Sequence, residues 1–363
     1  MPKSTVVVVT WRGRELVGVC LDALAAQTAA HAVLVVDNAS DDGTAAVLAT
    51  RAAAATPAAG AAPAGRAAGD ATAARATQAA GGMTDATPGR ATTAAGDAGG
   101  PGCLRVLRLR RNRGYAGGLA AALPHVGTPY VAWLNDDAEP RPRWLAELEA
   151  VLDAEPTVAA AGSVLVSVDG IVQSAGVRLT ALGYGRDATE ERPDAVFGFC
   201  GGAALLRTDA LRAAGGVPAP YFCYYEDTDT AWRLRLAGHD VRAVPTARVR
   251  HRHGMSSRLG SPAFHRWNER NRLLMLLRCA PATVAARELA RFAAITAALP
   301  LRGRPRARRR DHQRPAPNHR VVLRLRVLAA VIARLPASLV QRAAIGRRAV
   351  VPRSDLWQRW AGR

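Results

Sequence analysis

Three short stretches carry side chains suited to chemistry. They are Asn135-Asp136-Asp137, the acid cluster of YYEDTDTAWRLR (224–235) with Glu226, Asp227 and Asp229, and His251 with His253 in RVRHRHG. NDD follows the apolar run VAWL directly, so two carboxylates stand at the carboxyl end of a predicted strand, where open α/β sheets bind ligands. Adjacent carboxylates repel unless a cation or hydrogen-bond donors compensate. A hard divalent cation, Mg²⁺ or Mn²⁺, answers that need with one or two carboxylates, phosphate oxygens and water. A polar turn with a helix N-cap is the other reading. An HxH pair in extended chain points both rings to one face, which suits a metal, although isolated histidines are more often surface or core residues. Beside Tyr224, Tyr225 and Trp232, an acid is either a helix start or a base whose proton affinity is raised by desolvation. Asp229 or Thr228, just ahead of TAWRLRLAG, reads as the cap of that helix.

Elements must position these groups. VVVVT (6–10) is a continuous β-branched run, the pattern of a parallel strand buried on both faces. Helical spacing over 15–28 follows, then HAVLVVDNASDDGT (31–44), a strand running into acids, with Asp41 or Asp42 placed to cap the next helix. Strand, helix, strand opens a βαβ fold. An Asp just past a strand also suits a nucleobase imide or a ribose hydroxyl. CLRVLRL (103–109) predicts a third strand, NRGYAGG (112–118) a turn whose glycines permit close approach to phosphate, and VAWLN (131–135) a fourth strand. Residues 51–102 are rich in Ala, Gly, Pro and Thr without a large apolar residue before Met83, which predicts a disordered insertion.

In order, VVVVTW, VVDNASDDGT, NRGYAGG, WLNDD, GFCGGAALLRTDAL, YYEDTDTAWRLR and HRHGMSS followed by NERNRLLMLL resemble the family 2 glycosyltransferases, in particular their rhamnosyltransferase-like branch. The resemblance covers residues 4–50 and 103–280. It implies a GT-A fold: one Rossmann-like mixed β-sheet flanked by helices, formed by 1–50 and 103–280, with 281–363 as a C-terminal helical basic extension. It also implies metal-dependent inverting transfer of a sugar, rhamnose from dTDP-rhamnose above all, to a cell-envelope glycan or a polyprenyl-diphosphate-linked acceptor. Matched motif by motif, Asp37 contacts the nucleobase, Thr10 and Arg12 line the nucleotide pocket, and Arg113 and Gly114 follow the ribose and diphosphate. Asp137 binds the metal with His251, and Asp136 faces the ribose or donor sugar. Asp227 is the general base, with Glu226 in reserve. The loop continues GGLAAAL, without the Asn that many relatives carry there.

The formal net charge of +20 is concentrated late in the chain: Arg302 to Arg363 holds seventeen Arg against Asp311 and Asp355. Residues 281–300 and 319–351 carry apolar residues at helical spacing, interrupted by Pro300 and Pro336. Arg-rich amphipathic helices suit an anionic membrane surface, the alternative being a solvated basic tail. Nucleic acid is not the expected partner, because no interleaved aromatics or recognition motif appear. Five scattered cysteines predict reduced thiols, and MPKSTVVVVTW reads as a first strand rather than a signal peptide. The expected location is therefore cytoplasmic, peripheral at the inner membrane face. Competing readings are a galactofuranosyl or other hexosyl transferase, a non-catalytic nucleotide-sugar module, and a nucleotidyltransferase. The last would carry a phosphate-binding loop near the first strand, which this sequence does not show.

Overall fold

The computed structural model describes residues 1–55, 104–192, 196–252, 260–300 and 320–361. His253, most of the Ala-rich insertion (56–102) and the RPRARRRDHQR run lie outside them. Strand β1 (Ser4–Thr10) alternates its valines between two cores: Val6 and Val8 face one side of the sheet, Val7 and Val9 the other. Burial on both faces is why the run is apolar without interruption. It pairs in parallel with β2 (His31–Asp37) and β4 (Tyr130–Asn135), and β2 with β3 (Leu104–Arg108). Helices α1 (Val17–Ala25) and α2 (Thr44–Ala55) make the crossovers, α2 running on into the Ala-rich stretch. Asp42 Oδ1 accepts the Thr44 N–H at the start of α2.

Beyond β4 the sheet becomes mixed. Its order is β3-β2-β1-β4-β10-β6-β11-β5, where β5 is Ala138–Pro140, β6 Val158–Val166, β10 Ala203–Arg207 and β11 Asp240–His251. Strand β10 runs antiparallel to both neighbours, while β11 lies parallel to β6 and antiparallel to β5. Pro245 falls within a register shift between Val244 and Arg248, where its missing N–H costs no ladder bond. β7 (Val172–Ser174) extends β6, and β8 (Val177–Leu179) with β9 (Gly185–Asp187) forms a separate ribbon. The expectation of a mixed sheet flanked by helices with a C-terminal helical extension is met.

α1, α2 and α4 (Trp144–Ala154) cover one face; α3 (Gly114–Ala122), α5 (Thr208–Ala213), α6 (Glu226–Leu236) and α7 (Pro262–Cys279) cover the other. Asp229 is not the cap of α6. The helix starts three residues earlier, after a left-handed Tyr225 that gives no side-chain cap. Asp229 is instead fully buried, with Oδ1 2.7 Å from Arg233 Nε and Oδ2 2.7 Å from Arg278 Nη1, and it accepts from the Tyr221 hydroxyl at 2.9 Å. It ties α6 to α7. Asp229→Asn leaves two buried guanidinium groups short of a counter-charge, and is expected to cost about 3–5 kcal/mol in urea unfolding.

The tail folds onto the domain. α8 (Ala282–Ala298), α9 (Val321–Arg348) and α10 (Arg353–Trp360) bury Phe292, Leu323, Val327, Val331, Ile345 and Leu356 in the same core as α7. α9 continues through Pro336 rather than stopping there. Its arginines are partly structural. Arg324 stacks 3.7 Å from the Phe292 ring centroid, and Arg342 donates to the Leu277 and Ala280 carbonyls at the C-terminus of α7, where a cation offsets the helix dipole. The apolar faces that the sequence alone offers to a membrane are thus largely taken up by the domain.

Candidate active site

The carboxyl ends of β1 and β4 open into a pocket of about 400 Å³ whose wall includes Trp11, Asn38, Gly114, Asp136, Asp137, Glu226, Asp227 and His251. The three chemistry-bearing stretches, 135–137, 224–235 and the end of β11, therefore meet in one place. Pairing of His251 with Ala138 across β11 and β5 sets the ring beside Asp137, whose carbonyl also accepts the Arg252 N–H.

His251 Nε2 lies 3.1 Å from Asp137 Oδ1. Its tautomer follows from Gln173 on β7. Gln173 Nε2 donates to the His251 carbonyl at 3.3 Å, so Oε1, 2.9 Å from Nδ1, must accept, and Nδ1 carries the proton. Asn135 Nδ2 approaches Nε2 at 3.1 Å as a donor. In the neutral ring the Nε2 lone pair accepts from Asn135 and also lies beside a carboxylate oxygen, two acceptors that a shared cation would reconcile. Cis ligands of an octahedral Mg²⁺ at ~2.1 Å stand ~3.0 Å apart, which matches. No group of three or more His, Cys, Asp or Glu converges on one point among the described residues, so any cation here would complete its shell with phosphate or water. Asp137 and His251 fit such an ion.

Asp136 is nearly fully buried. Burial pushes its carboxyl up to about 7, the Thr10 hydroxyl opposing and the Asp137 charge reinforcing. Gly13 explains how the two side chains share so little space: a Cβ there would stand 2.2 Å from Thr10 Oγ1 and 2.5 Å from Asp136 Oδ2. Sequence reasoning missed Gly13.

Thr10, Arg12, Asp37 and Arg113 stand behind or outside the wall, which their neighbours Val9, Trp11, Asn38 and Gly114 complete. Arg12 forks onto Asp41 on the exposed side, Nε–Oδ1 2.6 Å and Nη2–Oδ2 2.7 Å. Asp37 is fully buried, accepts the Ser40 N–H at 2.9 Å, and keeps Oδ2 without a hydrogen-bond partner, 3.6 Å from Arg108 Nε. Asn38 latches the glycine turn, donating to the Gly114 carbonyl at 3.0 Å and accepting the Arg113 N–H at 2.8 Å. Gly114 has φ +70°, and a Cβ there would stand 2.1 Å from the Phe222 carbonyl oxygen, so only glycine lets this turn seat against the loop at Phe222. Tyr115, also missed by sequence, donates to the Gly201 carbonyl at 2.6 Å.

Asp227 and Glu226 differ although adjacent. Asp227 Oδ2 accepts the Gly201 N–H at 2.9 Å, and Oδ1 accepts the N–H and hydroxyl of Thr228. Burial raises its proton affinity, and those donors oppose the rise. Glu226 Oε2 is buried without a partner, and burial, then the Asp227 charge, pushes its carboxyl up to about 8. An acid raised in the fold holds a proton that the unfolded chain has released, so between pH 4.5 and about 8 stability falls as pH rises. Wild type is expected to match Glu226→Gln near pH 4 and to fall behind it by about 5 kcal/mol at pH 9, at about 1.4 kcal/mol per pKa unit. Urea titration at both pH values measures the gap. A gap independent of pH would show that Glu226 is not held neutral.

Residues 81–215 match the family model described as glycosyl transferase family 2. The chain is 30% identical over 154 residues to pre-mycofactocin glycosyltransferase of Mycobacterium tuberculosis, covering 41% of this chain and 32% of that protein, so it spans about a third of the curated relative's length. Among solved structures it is similar to S. aureus TarS 1–349 in complex with UDP-GlcNAc, with TM-score 0.52, 15% identity and coverage of 95% of this chain and 90% of that one. It is also similar to GalNAc-T7 with UDP, GalNAc and Mn²⁺, with TM-score 0.54, 12% identity and coverage of 77% and 48%. The fold is GT-A. The pocket at the carboxyl ends of β1 and β4 is therefore placed on a GT-A sheet, with the glycine turn, the NDD acids and the ED acids arranged around it.

Proposed function

We propose that the protein is an inverting glycosyltransferase that moves a sugar from a nucleotide-diphosphate donor to a hydroxyl of a cell-envelope glycan or a polyprenyl-diphosphate-linked acceptor. Rhamnose from dTDP-rhamnose is the favoured donor, on the order of motifs that resembles the rhamnosyltransferase-like branch. The observation that carries the reading is the single pocket holding the Asp137–His251 pair and the Asp227 carboxylate together.

In this reading the nucleotide lies along the ends of β1 and β2. The buried Asp37 Oδ2, without a hydrogen-bond partner and 3.6 Å from Arg108 Nε, accepts from the nucleobase, Thr10 and Arg12 flank it, and Arg113 with Gly114 follows the ribose and diphosphate. Asp136 faces the ribose or donor sugar. Asp137 and His251 hold the divalent cation, which when bound supplies neutralising charge to the departing diphosphate. Asp227, its proton affinity raised by burial and its charge partly supported by the Gly201 and Thr228 N–H donors, accepts the acceptor hydroxyl's proton as that oxygen attacks the anomeric carbon on the face opposite the leaving group. Glu226, neutral near pH 7, adds no competing charge beside the base. Tyr224 and Phe222 line the same wall and exclude water from it.

A second reading, transfer of another sugar to an acceptor of the pre-mycofactocin kind, is favoured by the 30% identical relative. A panel of dTDP-, UDP- and GDP-sugars against lipid-linked and soluble acceptors, with mass spectrometry of the product, separates the two. Binding of donor with no transfer to any acceptor and no hydrolysis would leave a non-catalytic nucleotide-sugar module. No helix among the described residues is long and apolar enough to cross a membrane. The acceptor class places the enzyme at the cytoplasmic membrane face, with 281–363 as its contact to anionic lipid. Flotation of the full chain with anionic vesicles tests that placement.

A further inference from the structure

The N-terminal turns of α7 and α9 meet in a cleft of about 320 Å³ lined by Arg266, Arg320 and Arg326, with Val322, Leu323 and Pro262. None of these three arginines has a carboxylate partner among the described residues, although elsewhere in the chain arginines pair with acids repeatedly. Arg270, one turn further along α7, is buried with only the Tyr221 and Pro220 carbonyls and the Asn271 side chain as acceptors. The positive ends of two helices add to the same field. Among the described residues the region is cationic without compensation.

From this cleft an apolar stripe runs along the outer face of α9. Val322, Leu325, Ile332, Leu339 and Val340 are all at least half exposed, on a helix whose opposite face is already buried in the core. Their spacing keeps them on one side of the helix, with Ala329 and Pro336 filling the intervening turns, over roughly 27 Å at 1.5 Å per residue. Amphipathic packing on the domain accounts for Leu323, Val327 and Val331 but not for a second apolar face. Val322 belongs to both cleft and stripe.

We propose that the Arg266–Arg320–Arg326 cleft seats the phosphate of an anionic lipid while the outer stripe of α9 lies among the acyl chains. Charge complementarity selects the head, and the stripe requires an apolar neighbour directly beside it. This deepens the membrane-surface reading above and rests on it, placing the contact on one cleft and one helix face rather than on the tail's charge at large. The placement has a consequence for the reaction. Trp267, next to Arg266 on α7, lines the active-site pocket, and Phe264 packs edge-on against Tyr224 at 5.1 Å. The seat therefore holds the mouth of the pocket toward the lipid surface.

Flotation of the full chain with phosphatidylcholine vesicles, with and without phosphatidylglycerol, tests this. Every substituted side chain below is exposed, so the fold is not at risk. Arg266→Gln/Arg320→Gln/Arg326→Gln is expected to weaken binding to the anionic vesicles by on the order of 100-fold, and Leu325→Asn/Ile332→Asn/Val340→Asn by at least ~10-fold. The charge-matched Arg347→Gln/Arg348→Gln/Arg359→Gln should change it only a few-fold. If the wild type fails to float with the anionic vesicles, the membrane reading falls and this site with it. If it floats but the cleft variant behaves like the charge-matched one, the site is overturned and the membrane reading stands. Loss in the cleft variant without loss in the stripe variant also overturns the site, since a diffuse cationic surface would do as much.

Discussion

Asp227→Asn is expected to lower glycosyl transfer by about 10²–10⁴-fold, the usual contribution of a general base, while donor affinity is unchanged. The asymmetry follows from position. Asp227 sits at the start of α6, and its oxygens are engaged by Gly201 and Thr228 rather than by any group of the 135–137 or glycine turns. Removing its charge leaves Asp136, Asp137, His251 and the Gly114 turn in place, so calorimetric titration with the nucleotide should read as wild type. The pH profile gives a second readout. Burial raises the Asp227 carboxyl above the ordinary carboxylate range, so the acid limb of the wild-type profile should lie above that range and vanish in the Asn variant. Glu226→Gln tests the reserve: a group neutral near pH 7 can be replaced by a neutral amide without comparable loss. Near-normal transfer by Asp227→Asn, with collapse in Glu226→Gln, would exchange the two assignments.

What the sequence shows and what it hides divides along physical lines. The strands β1, β2, β4 and β6 are legible because each is buried on both faces and so written in largely apolar residues, whereas edge strand β3, LRVLR, shows only a short apolar core between exposed arginines. Three-residue β5 is not, since AEP carries Pro and Glu, and its pairing depends wholly on β11 arriving from more than a hundred residues away. The ED and NDD acids are visible as local clusters. Gln173 is not, because a lone glutamine on a short strand acquires meaning only when the fold brings it to His251. The same holds for Gly13, whose role is the absence of a Cβ between Thr10 and Asp136, and for Tyr115, which braces the glycine turn against Gly201. Asp229 shows the opposite failure. Acids at a helix start read locally as caps, yet its partners Arg278 and Tyr221 are tertiary, and burial beside two arginines outweighs the local preference. The tail is half legible for the same reason: amphipathic periodicity reveals an apolar face but not what covers it, and in α9 one face meets the core while the other meets solvent.

Asp137→Asn is expected to weaken nucleotide-dependent Mn²⁺ binding by at least ~100-fold, beyond the 10–100-fold typical of losing a group behind a ligand. Electron paramagnetic resonance of free Mn²⁺ reads this directly, without relying on turnover. The substitution keeps an oxygen but removes the charge opposing His251 Nε2 at 3.1 Å, so the proposed Asp137–His251 site would lose its anionic member. Gln173→Leu should fall in the 10–100-fold range, because without Oε1 the ring is free to move its proton to Nε2 and withdraw the lone pair. Chelation should abolish transfer by the wild type, with activity returning on addition of Mg²⁺ or Mn²⁺, whereas the Asn variant should recover little. The order matters more than either number. A variant series in which Gln173→Leu exceeds Asp137→Asn would place the cation away from the carboxylate, and equal Mn²⁺ binding across all three proteins would remove the Asp137–His251 pair as its site. If the order holds, the proton on Nδ1 becomes part of the site's design: Gln173, fixed by its own bond to the His251 carbonyl, selects the neutral tautomer whose Nε2 lone pair faces Asp137.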